Sequence, residues 1–264
     1  MISGATRALI MACLPALVSC VGTTGSDLFS FDAAASGPED AELGKPLSFT
    51  TGRGYAVVLD RARVHVGAVY LNKAVPISGA QTTSCVLPGI YVAQLTRGLV
   101  VDALSPEPQP FPEAGEALGE RALAGEVWLT GGDVNALSDD TVILDVAGTA
   151  EKDGITYPFE GALTIGQNRA IPVADPAQPG ARPICKERIV SPIPVALTPR
   201  EGGSLLLRID PRGLFTNVDF SALDRVSDAP PLYRFADRTE GQPNVNLYRG
   251  LQSREGTYQL IWND

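Results

Sequence analysis

Residues 141–166 read TVILDVAGTAEKDGITYPFEGALTIG, and this stretch decides the fold class of the chain. Two runs rich in Val, Ile, Thr, Tyr and Phe flank the dipeptide Asp153-Gly154. Such runs favour strands, and a glycine accepts the positive φ that a tight hairpin turn requires. The stretch therefore predicts a β-hairpin.

Strand patterns continue on both sides of this hairpin. Residues 55–72, YAVVLDRARVHVGAVYLN, alternate with period two, which predicts a strand that buries one face, including Val58, Val64 and Val66. Residues 90–104 predict two short strands that are broken near Arg97 and Gly98. Further strands are predicted within 125–131, 204–210 and 257–263.

Helical patterns are weak. Residues 112–125 contain helix formers but also glycines, and residues 217–226 could form one or two turns capped by Asp219 or Ser221. Two long proline-rich irregular stretches cover 104–115 and 168–203. These features predict an all-β fold, an antiparallel β-sandwich or a barrel-like domain with long proline-rich loops and little helix.

The charge balance argues against nucleic acid as a partner. The chain has 264 residues, 44% of them hydrophobic, and a formal net charge of −9. Nucleic-acid binding requires a basic patch, whereas the Arg and Lys residues here are scattered along the sequence.

The N-terminal residues have the three parts of an export signal. Arg7 supplies a positive charge, residues 8–18 form an apolar run, and Ser19 is a small residue before Cys20. Eleven helical residues rise about 16 Å, which is too short to span a hydrocarbon core of about 30 Å. Residues 1–19 are therefore predicted to be a signal peptide that is removed.

The tetrapeptide Leu17-Val18-Ser19-Cys20 resembles the lipobox of bacterial lipoproteins. The resemblance implies that Cys20 is lipidated and becomes the mature N-terminus. Because Val21, and not Asp, follows Cys20, it also implies the outer membrane, whose lipid would hold the acyl chains, with the protein facing the periplasm or the cell surface. The alternative is an ordinary secretory signal that is cut elsewhere.

Composition then divides the rest of the chain. Residues 20–45 are small, acidic and aperiodic, which predicts a flexible acidic tether. Residues 46–264 are predicted to form a β-rich globular domain, with a possible sub-boundary near 167–203.

The cysteines that remain after processing are Cys85 and Cys185. Cys13 would leave with the signal, and an exported compartment is oxidising, so the remaining pair predicts a disulfide. A redox or metal site is the alternative, but neither cysteine belongs to a CxxC motif or has a nearby His.

An acidic stretch, TGGDVNALSDD at 130–140, follows a predicted strand. Alternating oxygen ligands suit Ca²⁺, and the stretch is similar to the first half of an EF-hand loop. It departs from that pattern at Leu137 and Ser138, so the alternative is a polar loop with local hydrogen bonds. The candidate calcium ligands are Asp133, Asn135, Asp139 and Asp140.

Catalytic patterns are lacking in the sequence. His65 is the one histidine, and it is expected to be exposed or locally hydrogen-bonded. Asp210-Pro211 with Gly213 predicts a turn. We therefore predict no enzyme and no cofactor, but a non-enzymatic binding or structural role with an unknown envelope protein or ligand. The alternatives are a calcium-dependent binding domain and a carboxylate-based hydrolase.

Overall fold

The computed structural model describes residues 28–75, 90–130, 140–165, 187–237 and 241–264. Strands account for 54% of these residues, so the predicted all-β class is confirmed. Among the described segments, no helix has both the length and the apolar character needed to cross a bilayer. The elements are β1 (Leu28–Ser36), β2 (Leu47–Thr50), β3 (Ala56–Val66), β4 (Ala68–Asn72), β5 (Tyr91–Leu95), β6 (Leu99–Asp102), β7 (Gln109–Pro110), β8 (Gly115–Leu118), β9 (Ala122–Trp128), β10 (Val142–Lys152), β11 (Ile155–Thr164), β12 (Ile189–Leu197), β13 (Ser204–Ile209), β14 (Asp224–Asp228), β15 (Pro231–Phe235), α1 (Gln242–Leu251) and β16 (Tyr258–Asn263).

The first sheet has nine strands and is nearly closed into a barrel. Its order is β12-β9-β4-β5-β8-β1-β13-β16, and β7 pairs with β1 beside this path. The strands at the two ends of the path, β12 and β16, lie against each other. All its described pairs are antiparallel except β1 with β13.

The second sheet is built around the hairpin predicted from residues 141–166. Its order is β14-β15-β11-β10-β3-β2, with β6 paired to β3. Strands β10 and β11 are antiparallel neighbours joined at Asp153 and Gly154, whose φ angles are 53° and 77°. Both central residues of the turn therefore have the positive φ of a tight hairpin, and the predicted hairpin is confirmed.

One hydrophobic core joins the two sheets. It contains Ile143 and Leu163 from before residue 167 as well as Leu205 and Phe215 from after residue 203. The described parts on either side of 167–203 therefore pack around a common core.

The expectation of a flexible tether through residue 45 is wrong for residues 28–36. Strand β1 lies between β8 and β13 in the first sheet, and its residues Phe31, Ala33 and Ala35 are buried. The small residues that suggested flexibility instead permit close packing. Gly37, for example, lies so close to the chain at Ala103 that an added Cβ would be 2.4 Å from the Ala103 backbone oxygen.

The predicted buried face of β3 is wrong in its first half. Ala147 of β10 pairs with Arg61, but the next residue, Gly148, pairs with Leu59, so Asp60 forms a β-bulge. A bulge reverses the alternation. Val57 and Leu59 are consequently buried while Val58 is 39% exposed, whereas Val64 and Val66 are buried as predicted.

The structure also decides three weaker predictions from the sequence. Residues 112–125 form β8 and most of β9 rather than a helix, and β12 lies within the stretch 168–203 that was predicted to be irregular. Residues 220–222 form one 3-10 turn, and the side chain of Asp219 accepts a hydrogen bond from the Ser221 N–H as the expected cap. The sequence reading missed α1.

Candidate functional site

Strand β9 carries polar and aromatic side chains on the face that points away from the core. A Cβ on Gly125 would meet the core side chains of Leu260 and Leu71, so Gly125 faces the core. Because side chains alternate along a strand, Glu126 and Trp128 share the same sheet face, and neither is part of the hydrophobic core. Glu126 is nevertheless only 3% exposed and Trp128 5%.

Side chains from four strands and an adjoining turn surround this carboxylate. We call them the Glu126 cluster. Its members are Tyr70, Asn72, Tyr91, Glu126, Trp128, Arg188 and Ser191.

The Glu126 carboxylate accepts four hydrogen bonds. Asn72 Nδ2 donates to Oε1 at 3.1 Å and Trp128 Nε1 donates to Oε2 at 3.1 Å. The hydroxyls of Tyr91 and Ser191 donate at 3.3 and 3.4 Å. The carboxylate is thus solvated by protein groups in place of water, which offsets much of the cost of its burial.

Arg188 places a buried cation on the indole ring that donates to Glu126. Its side chain is fully buried, and its guanidinium carbon lies 4.7 Å from the centre of the Trp128 ring. Its backbone oxygen accepts a hydrogen bond from the Leu129 N–H at 2.7 Å, which fixes the turn before β12 against the end of β9. A guanidinium over an indole face gains a cation–π attraction, which is stronger in a dry environment.

Two tyrosines complete the cluster and reach toward solvent. The Tyr70 ring packs against Tyr91 at 4.7 Å and against Trp128 at 5.0 Å between centroids, and both tyrosines are partly exposed. Burial raises the pKa of Tyr70, and Arg188 opposes this shift. Burial, reinforced by the charge of Glu126, raises the pKa of Tyr91. Both phenols therefore stay protonated at neutral pH, as the hydrogen bond from Tyr91 to Glu126 requires.

The arrangement suits recognition better than proton transfer. Each carboxylate oxygen of Glu126 already accepts two hydrogen bonds, so it is poorly placed to take a substrate proton. Asn72 Oδ1, however, is buried and has no hydrogen-bond partner within the described part of the chain. The rings of Tyr70 and Tyr91 present apolar faces and hydroxyl groups beside the fixed side-chain amide of Asn72.

A second polar constellation lines a cleft of about 530 Å³ between β13, the start of β16 and the turn after β1. Arg212 donates to Asp40 at 2.7 Å and to Asp210 at 2.6 Å, and Arg208 pairs with Glu39 at 2.7 Å. The hydrogen bond from Arg212 lowers the pKa of Asp40. Asp210 also accepts from the Arg212 backbone N–H at 3.0 Å, so the predicted turn at Asp210 is confirmed.

The predicted ligands and cysteines fall mostly outside the described residues. This applies to Cys20, Cys85 and Cys185, and to the candidate calcium ligands Asp133, Asn135 and Asp139. The fourth candidate, Asp140, is exposed. Within the described ranges, no three His, Cys, Asp or Glu side chains come together as a metal site would require.

The expectation for His65 is confirmed. Its Nδ1 lies 2.7 Å from the backbone oxygen of Leu129, which is a local hydrogen bond. Trp128 lies in β9 and is buried.

The sequence analysis missed Glu126, Asn72 and Arg188 as site residues. Glu126 and Asn72 are 54 positions apart in the chain, and no spacing rule connects them. One signal was available: Glu126 and Trp128 alternate on one face of a predicted strand, and a charged residue beside a buried indole requires partners.

Comparisons with known proteins yield little. No family model matches the chain, and no curated protein does. A search of solved structures finds MbnP from Methylosinus trichosporium, with 14% sequence identity and a TM-score of 0.35 over 75% of this chain and 81% of that one.

Proposed function

We propose that this chain is a lipid-anchored protein of the cell envelope whose β domain has a binding role and no enzymatic one. Cys20 would carry the acyl chains and place the protein in the outer membrane, facing the periplasm or the cell surface. Support for the anchor comes from the tetrapeptide Leu17-Val18-Ser19-Cys20 behind a short apolar run that begins after Arg7.

The observation that carries the binding role is the position of the Glu126 cluster. Buried charged groups are weak as stabilising devices, because apolar residues of the same volume often serve the fold equally well. Here Glu126 and Arg188 both contact Trp128, which is not part of the hydrophobic core cluster, and the partly exposed ring of Tyr70 packs on the same indole. Tyrosine over fixed polar groups is typical of recognition surfaces.

The carboxylates of the Glu126 cluster and of the cleft around Arg212 support a non-enzymatic role over the hydrolase alternative. A carboxylate-based hydrolase needs one carboxyl group that stays protonated as an acid. Asp40 and Asp210 share Arg212, which holds the pKa of Asp40 below its usual range. The carboxylate of Glu126 already accepts hydrogen bonds from four donors.

Metabolic labelling with radioactive palmitate tests the anchor, and Cys13→Ala is the matched control for Cys20→Ala. We expect label in the wild type and in Cys13→Ala, and none in Cys20→Ala. Label that persists in Cys20→Ala, or a wild type without label, would contradict the proposal.

A calcium-dependent binding role is the alternative that residues 133–140 leave open. Calorimetric titration with Ca²⁺ separates the two roles. Heat that disappears in an Asp133→Asn, Asp139→Asn double variant would favour the calcium role. No heat and no change in Tm would favour calcium-independent binding.

A further inference from the structure

The start of β1 lies at one end of the first sheet, where the ends of several strands meet. Leu28 pairs with Leu118 at the end of β8, and Tyr91 at the start of β5 pairs with Asn72 at the end of β4. Two contacts join these strand ends: the Lys73 N–H donates to the Ile90 oxygen at 2.9 Å, and the Lys73 side chain forms an ion pair with Glu120. The first described residue of the chain therefore lies at the same edge as Lys73 and Ile90. We call this the β1 edge.

Large apolar side chains at the β1 edge face solvent. Leu28 is 65% exposed, Ile90 64% and Val75 52%. Single exposed apolar residues are ordinary, but several at one edge of a sheet leave apolar surface that a partner can cover. The ion pair of Lys73 with Glu120 and the exposed Arg121 lie in the adjoining strand ends, and together they carry one net positive charge.

Chain length limits what can lie opposite this edge. Cys20 and Leu28 are eight positions apart, and an extended chain spans at most about 3.6 Å per residue, or about 29 Å in all. An acylated Cys20 would therefore keep the β1 edge within that distance of the bilayer surface. With a tether that reached residue 45, the same domain could turn any face to the membrane.

We infer that the β1 edge docks on the membrane that anchors Cys20, with Leu28, Val75 and Ile90 entering the headgroup region. Apolar side chains beside a net positive charge match the headgroup region, because the membrane surface is anionic and the layer beneath it is apolar. The inference rests on the proposed lipid anchor. It adds an orientation: the β1 edge faces the lipid, and the second sheet faces away.

Site-specific photocrosslinking tests the orientation in the full lipidated chain. p-Benzoylphenylalanine replaces Leu28, Val75 or Ile90 in one set of variants. In the control set it replaces Val100 or Ile155, which are 56% and 54% exposed on the second sheet. Each protein is reconstituted through its own anchor into vesicles of phosphatidylethanolamine and radiolabelled phosphatidylglycerol, and Tm is measured to confirm that it is folded.

Label transfer from the β1 edge positions several-fold above the control positions supports the inference. Equal transfer from both sets, or crosslinked dimers of the chain without lipid label, overturns it. The mass of the N-terminal peptide is measured in the same samples. An acylated Cys20 with equal transfer overturns the orientation alone, whereas an unmodified Cys20 overturns the anchor and the orientation with it.

Discussion

The guanidinium of Arg188 lies over the Trp128 ring, with 4.7 Å between its central carbon and the ring centroid, and both side chains are buried on the outer face of the first sheet. Trp128 in turn donates its indole N–H to Glu126. A cation and an anion are thus buried in contact with the same indole. The stability of the cluster therefore depends on the polar network as well as on apolar packing.

We predict that Glu126→Ala destabilises the fold by about 2–5 kcal/mol, because it leaves the Trp128 N–H and the Asn72 amide buried without their acceptor. The matched control is Glu116→Ala, on neighbouring β8, where the side chain is exposed. A change within about 0.5 kcal/mol is expected there. Urea unfolding measures both, and equal effects of the two variants would contradict the role of the network.

Gly148→Ala should destabilise the second sheet. An added Cβ would lie 2.3 Å from the backbone oxygen of Val58, next to the bulge at Asp60. We expect a loss of about 2 kcal/mol, or about 4–8 °C in Tm for a chain of this size. Gly119→Ala is the control, because its nearest atom would be the Pro199 oxygen at 4.0 Å. A Gly148→Ala protein as stable as Gly119→Ala would speak against the observed register.

Asp219 should make the stability depend on pH in acid. Hydrogen bonds from Ser221 and then Tyr55 lower the pKa of its carboxyl group. The ionised form therefore stabilises the fold above the ordinary Asp pKa of about 3.9, and this contribution is lost as the pH falls through the lower folded-state value. The difference in unfolding free energy between wild type and Asp219→Asn should shrink below about pH 4.

Urea unfolding at a series of pH values measures this difference. Ser221→Ala is the control, because it removes the strongest of these hydrogen bonds. In Ser221→Ala, the Asp219 carboxyl group should become protonated at a higher pH. The loss of stability on acidification should therefore begin at a higher pH than in the wild type. A difference that does not change with pH would contradict the assignment.

The predicted disulfide between Cys85 and Cys185 can be tested by counting thiols. With Cys20 acylated and Cys13 removed, the unreduced, denatured mature protein should contain no free thiol, and Cys185→Ser should expose one. A disulfide that closes a loop of about 100 residues would stabilise the fold by up to about 4.7 kcal/mol, so reduction should lower Tm. Free thiols in the unreduced wild type would rule out the pairing.

Local signals were sufficient to predict much of the second sheet. The hairpin of β10 and β11 has alternating apolar residues and an Asp153-Gly154 turn. Both signals depend only on residues that are close together in the sequence. The predicted alternation of buried residues in β3 was wrong because the bulge at Asp60 is set by pairing with β10. The sequence of β3 itself carries no information about that pairing.

Features that depend on distant contacts could not be predicted. Residues 28–36 were assigned to a tether because the stretch 20–45 is small, acidic and aperiodic, yet β1 is stabilised between β8 and β13. Helix α1 was missed because it is short, begins at Gly241 without a side-chain cap and contains two asparagines and a glycine, which are poor helix formers. Its buried residues Leu247, Tyr248 and Leu251 lie on one side, and it packs against the 3-10 turn at 211–215. Likewise, the Glu126 cluster joins side chains that only the sheet order brings together.

The most direct test of the account is the intact mass of the mature chain purified from outer membranes, with fragmentation of its N-terminal peptide. The account predicts a chain that begins at Cys20, with a diacylglyceryl group on its sulfur and an acyl group on its new amino terminus. A chain that begins at any other residue, or an unmodified Cys20, would contradict the lipid anchor and the membrane orientation inferred from it.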